Sequence, residues 1–193
     1  MTRTTSPAGR AALMAREGCR LEAYRDSVGV PTIGVGHTGR ASPPAVAMGM
    51  CITRAEADAI FARDLAPFEA AVNHAVTAEL ATNQFDACVS LAFNIGANGF
   101  AGSTVVHKLN AGDPAAAADA FLMWVHPPEL RQRRNGERAQ FLRRDAVPLP
   151  APPVAVAASA SVIPPVAGPP LLPRPATPGF WARIVAALTR KAA

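Results

Sequence analysis

The sequence predicts an α+β protein in which a small N-terminal β-hairpin or sheet precedes a mostly helical body, with a cleft between the two parts. Glycines and β-branched residues combine with turn signals between residues 21 and 38, as in a short hairpin. From residue 52 onward, helix start and stop signals follow one another. Eleven of the 19 prolines fall between residues 148 and 178, so this stretch is not expected to belong to the folded core.

Three segments are expected along the 193 residues. Residues 1–147 are long enough to bury a hydrophobic core and form one folded domain. Residues 148–177, rich in proline and alanine, form a disordered linker. Residues 178–193 place apolar and aromatic side chains on one face, which is typical of a basic amphipathic helix. We expect this helix to contact an anionic membrane or envelope; docking on the folded domain is the alternative.

The first helix is predicted from its two ends. Ser6 followed by Pro7 indicates a helix start. The serine hydroxyl can cap the first turn, and proline is tolerated there because an amide in the first turn has no acceptor within the helix. Gly18 is a helix stop. Glu17 is therefore expected at the C-terminal end of this helix.

The hairpin that follows carries Asp26 and Thr32. Asp26 opens an Asp-Ser-Val-Gly turn signal, which puts Thr32 on the returning strand. Pro31 has no amide to donate, so this strand is expected to be an edge strand or a bulged one. Glu17 is expected to face Asp26 and Thr32 across the cleft.

The helical body is predicted from capping and stop residues. Thr53 and Glu56 form a capping box ahead of a long amphipathic helix. Four further helices are expected over residues 82–95, 103–110, 113–124 and 135–145.

Charge favours a polyanionic partner, since the net charge is +5 and the pI is near 9.9. Six arginines between residues 131 and 144 accompany a single acid, Glu137. Two interpretations of this run are open: a solvated helix face and a polyanion-binding surface.

The cysteines and the N-terminus restrict the class of protein. Cys19, Cys51 and Cys88 are too few and too scattered for a disulfide framework, and none belongs to a metal-ligand pattern, so we expect no cofactor. Cys19 is interpreted as a structural thiol, since no local base accompanies it. No run near the N-terminus suits a signal peptide or a membrane span, so synthesis in the cytoplasm is expected.

The segment from Glu17 to Thr38 carries the chemistry. It holds two acids, Glu17 and Asp26, and a hydroxyl, Thr32, around a glycine-rich turn. Hydrolysis of a glycosidic bond by single displacement needs one acid to protonate the leaving oxygen and, on the other face of the sugar, groups that position water. These three residues match that requirement.

This segment resembles the signature of the phage-type lysozymes, the endolysins of glycoside hydrolase family 24. The shared frame is Glu-Gly-x-Arg-Leu-x-Ala-Tyr-x-Asp followed by Thr-Ile-Gly-x-Gly-His-Thr. Matching motifs recur in the helical body, among them Phe93-Asn94-Ile95-Gly96 and Leu109-Asn110-Ala111-Gly112. The resemblance covers residues 8–145 and implies a lysozyme-like fold.

The resemblance implies a peptidoglycan hydrolase that serves host cell lysis. The implied reaction is that of a muramidase, which cleaves the β-1,4 bond between N-acetylmuramic acid and N-acetylglucosamine, with inversion. Glu17 would be the general acid, kept protonated by partial burial. Asp26 would stay ionised and stabilise the transition state, and Thr32 would hold the water.

The resemblance also nominates further residues of the cleft, which are His37, Asn94, Ser103, Thr104 and Arg134. His37 is interpreted as a hydrogen-bonded structural group. For Arg134 two interpretations are open, a contact with Glu17 and one more surface arginine.

Partners follow from the same resemblance. Peptidoglycan is the substrate, a holin releases the enzyme from the host cytoplasm to the periplasmic wall, and the protein is a monomer without a specific nucleic-acid partner. Two alternatives are kept. One is a lytic transglycosylase, and the other is a non-catalytic polyanion- or membrane-binding protein that uses the arginine run and the terminal helix.

Overall fold

The structure, a computed structural model, describes residues 2–40 and 42–143. The linker predicted at residues 148–177 and the helix predicted at residues 178–193 lie outside the described residues. The same holds for Arg144 and for the end of the helix predicted over residues 135–145.

A helix and two antiparallel strands open the fold. Their bounds are Pro7–Glu17 for α1, Arg20–Arg25 for β1 and Pro31–Gly34 for β2. Ser6 caps α1 through a bond from the Gly9 amide to its hydroxyl. Thr32 pairs with Tyr24, and the register is irregular between Tyr24 and Arg20. The predicted hairpin is confirmed. The extra residues of the irregular register lie on β1, and β2, which carries Thr32, is an edge strand of the two-stranded sheet, one of the two predicted forms.

Helices make up the rest of the described chain. They are α2 (Arg54–Ala75), α3 (Thr82–Ile95), α4 (Ala97–Ala101), α5 (Thr104–Asn110), α6 (Pro114–Ala120) and α7 (Leu130–Leu142), with a 3₁₀ turn at Phe121–Met123. The predicted capping box of Thr53 and Glu56 is present at the start of α2. Within residues 2–40 and 42–143, no helix combines the length and the apolar character needed to cross a membrane.

Helix α3 is the centre of the body. Its residues 85–94 are all buried, and it packs against α1, α2, α4 and α7. Phe93 meets Phe61 and Phe68 edge-on, with ring centroids 5.6 and 5.2 Å apart. Because α3 is covered on every side, the polar groups that it presents to its neighbours have fixed positions.

Asn83 fastens the end of α7 to α3. Its Nδ2 donates to the carbonyl oxygens of Gln140 and Phe141, at 3.0 and 2.9 Å, and to that of Arg143. The last carbonyls of a helix have no partner within the helix, so this amide satisfies them.

Two predicted helices differ from the observed ones. The helix predicted over residues 135–145 already begins at Leu130, because Arg133 and Arg134 turn inward and their ion pairs hold its first turns. The helix predicted over residues 113–124 ends at Ala120, and the following 3₁₀ turn buries Phe121 against Phe141. The short α4 was not predicted.

Candidate active site

Glu17 stands at the C-terminal end of α1, as predicted. Gly18 closes the helix with a φ of +80°, a conformation that favours glycine, and its amide donates to the Met14 carbonyl at 2.9 Å. The Glu17 side chain is 6% exposed. Arg133 of α7 donates to its Oε1 at 2.5 Å, so the carboxyl is both buried and tied to a cation.

Burial raises the pKa of Glu17 above its ordinary value, because loss of water disfavours the charged carboxylate. Arg133 opposes this effect through its charge and its hydrogen bond, and Arg134 opposes it through its charge. The negative charge of Glu137 raises the pKa further. Since burial is the largest of these effects, Glu17 keeps its proton to a higher pH than a solvated glutamate does.

The arginine that contacts Glu17 is Arg133, so the predicted contact from Arg134 is wrong, and so is its interpretation as a surface residue. Arg134 is 0% exposed. Its Nε donates to the Trp124 carbonyl at 2.9 Å, and its two Nη groups donate to Glu137 and Asn94. Arg134 therefore belongs to the layer behind Glu17, and Asn94 holds it there.

Asp26 occupies the turn between the two strands, as predicted. Its Oδ1 accepts hydrogen bonds from the amides of Val28 and Val30, at 3.0 and 2.8 Å. Gly29 completes the turn with a φ of +82°. The carboxyl group is thus oriented by the backbone of its own turn.

Thr32 lies on β2, also as predicted, and it is 3% exposed. Its hydroxyl donates to the Val30 carbonyl at 3.0 Å. Across the sheet stands Tyr24, whose ring carries the Arg20 guanidinium 4.1 Å from its centroid. Burial raises the pKa of Tyr24, so this phenol stays neutral beside the turn.

A cavity of about 560 Å³ opens beside the turn. Its walls come from the hairpin, from the segment after β2 and from α2 and α3, and they include Asp26, Val30, His37, Arg63, Phe68 and Phe93. The walls combine apolar surface with a few polar groups, the pattern of a ligand pocket. The structure brings Asp26 and His37 to this cavity, whereas Glu17 and Thr32 are not among its lining residues, so the placement of Glu17 across a cleft from Asp26 and Thr32 stays a prediction.

Comparison with known proteins identifies the family. The model of the phage lysozyme family matches residues 14–144. The endolysin of Salmonella phage P22 is 49% identical over 134 residues, which cover 67% of this chain and 92% of the relative. The chain belongs to the phage lysozyme family.

Solved structures agree with this assignment. A crystal structure of a mutant of P22 lysozyme has a TM-score of 0.69 and 47% identity, and the match covers 73% of this chain and 99% of the other. The muramidase domain of SpmX from Asticaccaulis excentricus has a TM-score of 0.63 and 35% identity, with coverage of 74% and 100%. As a member of the phage lysozyme family, the protein is a glycoside hydrolase that degrades peptidoglycan, and the lysozyme-like fold is confirmed.

His37 of this phage lysozyme family member is hydrogen-bonded, as expected of the structural group that the sequence suggested. It is buried, with Nδ1 2.9 Å from Asp64 Oδ2 and Nε2 2.8 Å from the Pro44 carbonyl oxygen. Ser42 donates to the other oxygen of Asp64 at 2.7 Å. Both ring nitrogens are engaged, so neither is open to accept a proton from a sugar.

Ser103 and Thr104 lie at the start of α5. Ser103 is buried and caps that helix by accepting from the Val106 amide, and Thr104 is its first residue. The role that the structure gives Ser103 is capping. Among the residues that the structure describes, no cluster of three or more histidine, cysteine or acidic side chains is placed to hold a metal.

Cys19 follows the site by two residues and is half-buried. Burial raises the pKa of its thiol, and the nearby Arg54 offsets this only in part. A thiol with a raised pKa is a poor nucleophile, because the thiolate is the reactive form. The half-buried position agrees with the interpretation of Cys19 as a structural thiol, which stays a prediction.

The residues that sequence reasoning missed are Arg133, Glu137 and Ser90. Glu137 lies three and four positions after the two arginines, the spacing at which helical side chains meet, so a helix through the whole run would have indicated the ion pairs. Neither open interpretation of the arginine run holds for its buried members. Arg138, by contrast, is partly exposed and pairs with Asp119.

Proposed function

We propose that this enzyme is a muramidase that cleaves the β-1,4 bond between N-acetylmuramic acid and N-acetylglucosamine by single displacement with inversion, in the service of host cell lysis. The observation that carries this proposal is the contrast between two acids. Glu17 is buried with a raised pKa, whereas Asp26 lies on a turn at the edge of a cavity. Two carboxyl groups in unlike surroundings allow one site to supply both an acid and a carboxylate.

In this proposal Glu17 is the general acid. Its proton passes to the glycosidic oxygen as the bond to the anomeric carbon breaks, which makes a better leaving group. The transfer leaves a negative charge on Glu17. Arg133, already bonded to Oε1, stabilises that charge at the moment it forms, and proton uptake from water then restores the acid.

Asp26 is the carboxylate of the proposed mechanism. Positive charge develops on the sugar ring as the bond breaks, and a carboxylate nearby stabilises it. The bonds from the Val28 and Val30 amides keep the group from rotating away. The same carboxylate accepts a proton from the attacking water.

Thr32 is proposed to orient that water. Because its hydroxyl hydrogen is committed to the Val30 carbonyl, the oxygen can only accept a further hydrogen bond. A water that donates to Thr32 and to Asp26 turns its own lone pair toward the anomeric carbon. Attack from the face opposite the leaving group gives inversion, so NMR should detect the α-anomer first; a β-anomer would contradict this step.

The test of the acid is Glu17→Gln with Glu22→Gln as its matched control, since Glu22 is an exposed acid on the adjacent strand. On purified peptidoglycan, Glu17→Gln should lower the rate about 10²- to 10⁴-fold, the usual contribution of general acid catalysis. Glu22→Gln should retain the wild-type rate. Full activity of Glu17→Gln would exclude the proposed mechanism.

The products separate hydrolysis from the alternative of lytic transglycosis. Hydrolysis adds water and leaves reducing ends, whereas transglycosis closes a 1,6-anhydro ring without water. The water-orienting role proposed for Asp26 and Thr32 favours hydrolysis. Mass spectrometry of the released fragments should therefore show reducing ends. Anhydro ends would identify the enzyme as a lytic transglycosylase instead.

Delivery is a separate part of the proposal. Residues 1–147 would act as a monomeric catalytic domain, released from the host cytoplasm with a holin, and residues 178–193 would bind an anionic envelope through their basic and aromatic side chains. Deleting residues 150–193 should spare hydrolysis of purified peptidoglycan and weaken lysis of intact cells. Equal activity on both substrates would remove the targeting role.

A further inference from the structure

Behind Glu17 lies a buried ionic chain that joins three helices. Arg133 of α7 bridges two carboxyl groups, since its Nη1 donates to Glu17 and its Nε donates to Glu137 Oε1 at 3.0 Å. The Glu137 side chain is 0% exposed. One guanidinium is thus shared between the acid at the end of α1 and a glutamate in the core.

Glu137 is held on both of its oxygens. Ser90 of α3 donates to Oε1 at 2.7 Å, and Arg134 donates to Oε2. Arg134 is itself fixed by Asn94 and by the Trp124 carbonyl. Glu137 cannot leave its place without stranding the Arg134 cation in the core, so it is a rigid anchor for Arg133.

We propose that Glu137 is a positioning residue of the reaction, which holds the Arg133 guanidinium against Glu17 and offsets its charge, so that Glu17 stays oriented and yet keeps its proton. The proposal rests on the role of Glu17 as the general acid. It adds a function for a residue that does not touch the sugar and acts only through Arg133.

The charges explain why an anchor of this kind is needed. An arginine in contact with a carboxyl group favours its ionised form, which would deprive a general acid of its proton. The Glu137 carboxylate, bound to the same guanidinium, reduces this stabilisation of the ionised form and also repels a negative charge on Glu17. In agreement, Glu137 raises the pKa of Glu17, whereas Arg133 and Arg134 lower it.

Other charged groups surround the end of α1. Arg16, on the same helix, donates to Gln140 and to the Gly136 carbonyl of α7. Arg54 of α2 approaches Met14 and Cys19, and Arg20 of β1 stacks on Tyr24. All three are cations, so Glu137 is the acid that opposes the cations of α7 at Glu17.

The test compares two substitutions of opposite sign in the full-length protein, Glu137→Gln and Arg134→Gln. A glutamine at position 137 keeps an oxygen for Arg133 and Ser90 but loses the charge. The basic limb of the pH dependence of kcat should move to lower pH in Glu137→Gln and to higher pH in Arg134→Gln, by on the order of one pH unit each. Arg131→Gln, an exposed neighbour on α7, should leave the limb in place.

Both buried variants are assayed below their measured unfolding temperatures, because each removes one member of the Arg134–Glu137 ion pair in the core. A purely structural role would lower the rate without moving the limb in opposite directions. An unmoved limb in Glu137→Gln, or a movement to higher pH, would overturn the proposal. If Glu17→Gln retained activity, the underlying mechanism would fail instead, so the two failures are distinguishable.

A measurement on the wild-type protein covers the case in which the variants do not fold. The Nε–H signal of Arg133 should remain protected from exchange while Glu17 titrates in an NMR experiment, since Glu137 accepts that bond in either state of Glu17. Loss of protection on protonation of Glu17 would show that Glu17, and not Glu137, holds the guanidinium. That result would also overturn the proposal.

Discussion

The two acids of the site are held in opposite ways. Glu17 is fixed by the Arg133 side chain of α7, 116 positions away in the sequence, whereas Asp26 is fixed by amides two and four positions ahead of it. The first arrangement depends on charged groups in the core. The second depends on the path of the backbone through one turn.

This difference decides what a substitution can change. Side chains around Glu17 carry charge, so replacing them alters its affinity for protons. The amides around Asp26 are present whatever the side chains are, so only a change in the backbone or in Asp26 itself disturbs that end of the site. Substitutions at the two ends should therefore differ in kind as well as in size.

The largest effect is expected in the core behind Glu17. Arg134→Met removes the buried cation that donates to Glu137 Oε2, so that carboxylate keeps Arg133 as its remaining cation, and should lower the free energy of unfolding by about 3–5 kcal/mol. Thermal unfolding should show a melting temperature lower by about 10 °C. The exposed Arg131→Met is the control, with a change below about 0.5 kcal/mol. An equal loss in both variants would remove the ion pair as the cause.

Asp26→Asn should lower the catalytic rate while leaving the stability of the turn unchanged. Asparagine keeps the oxygen that accepts from Val28 and Val30, so the melting temperature should stay within about 2 °C of wild type. The rate on peptidoglycan should fall about 10²- to 10³-fold, because the charge that stabilises the transition state is gone. A stable variant with wild-type activity would exclude the role of Asp26.

Glu17→Gln should stabilise the protein at neutral pH. The folded state raises the pKa of Glu17, so it holds this proton more tightly than the unfolded chain, and stability falls as pH rises through that window. A tenfold difference in proton affinity between the two states corresponds to about 1.4 kcal/mol. Thermal melts should show a more stable variant at pH 7 and a difference that shrinks as pH falls toward the ordinary value of 4.5. A constant difference across pH would contradict this origin.

The smallest effect is expected from Gly29→Ala. Beyond the two neighbouring residues in the chain, no atom lies within 4 Å of the added methyl, so the cost is the positive φ alone, about 1 kcal/mol. Gly102→Ala, at a negative φ with space around it, is the control and should cost less. Chemical denaturation would measure both. A loss in kcat with KM unchanged would indicate that the turn positions Asp26 rather than the substrate.

Local signals predicted one half of the site and failed for the other. Ser6, Gly18 and Gly29 fix the end of α1 and the hairpin turn over a few residues, so the placements of Glu17, Asp26 and Thr32 follow from sequence. The partner of Glu17 depends on the rotation of α7. Successive helical residues differ by about 100°, so the rotation of α7 decides which of Arg133 and Arg134 reaches Glu17, and the resemblance that nominated Arg134 does not specify it.

The missed start of α7 has the same explanation. A run of arginines is usually solvated. No neighbouring residue in the sequence indicates that Ser90 and Asn94, two buried polar residues of α3, form hydrogen bonds with Glu137 and Arg134 of this run. Packing between distant segments thus decides which charges are buried. The proton affinity of Glu17 is a property of that packing, and no local pattern encodes it.

Asn83 gives the end of α7 a mechanical role. Its side-chain amide donates to three carbonyl groups around the last turn of α7. A force applied to the chain beyond Arg143 would therefore act on α3 as well as on α7. Such a force would have to break these three hydrogen bonds of Asn83 before it could unwind the end of α7.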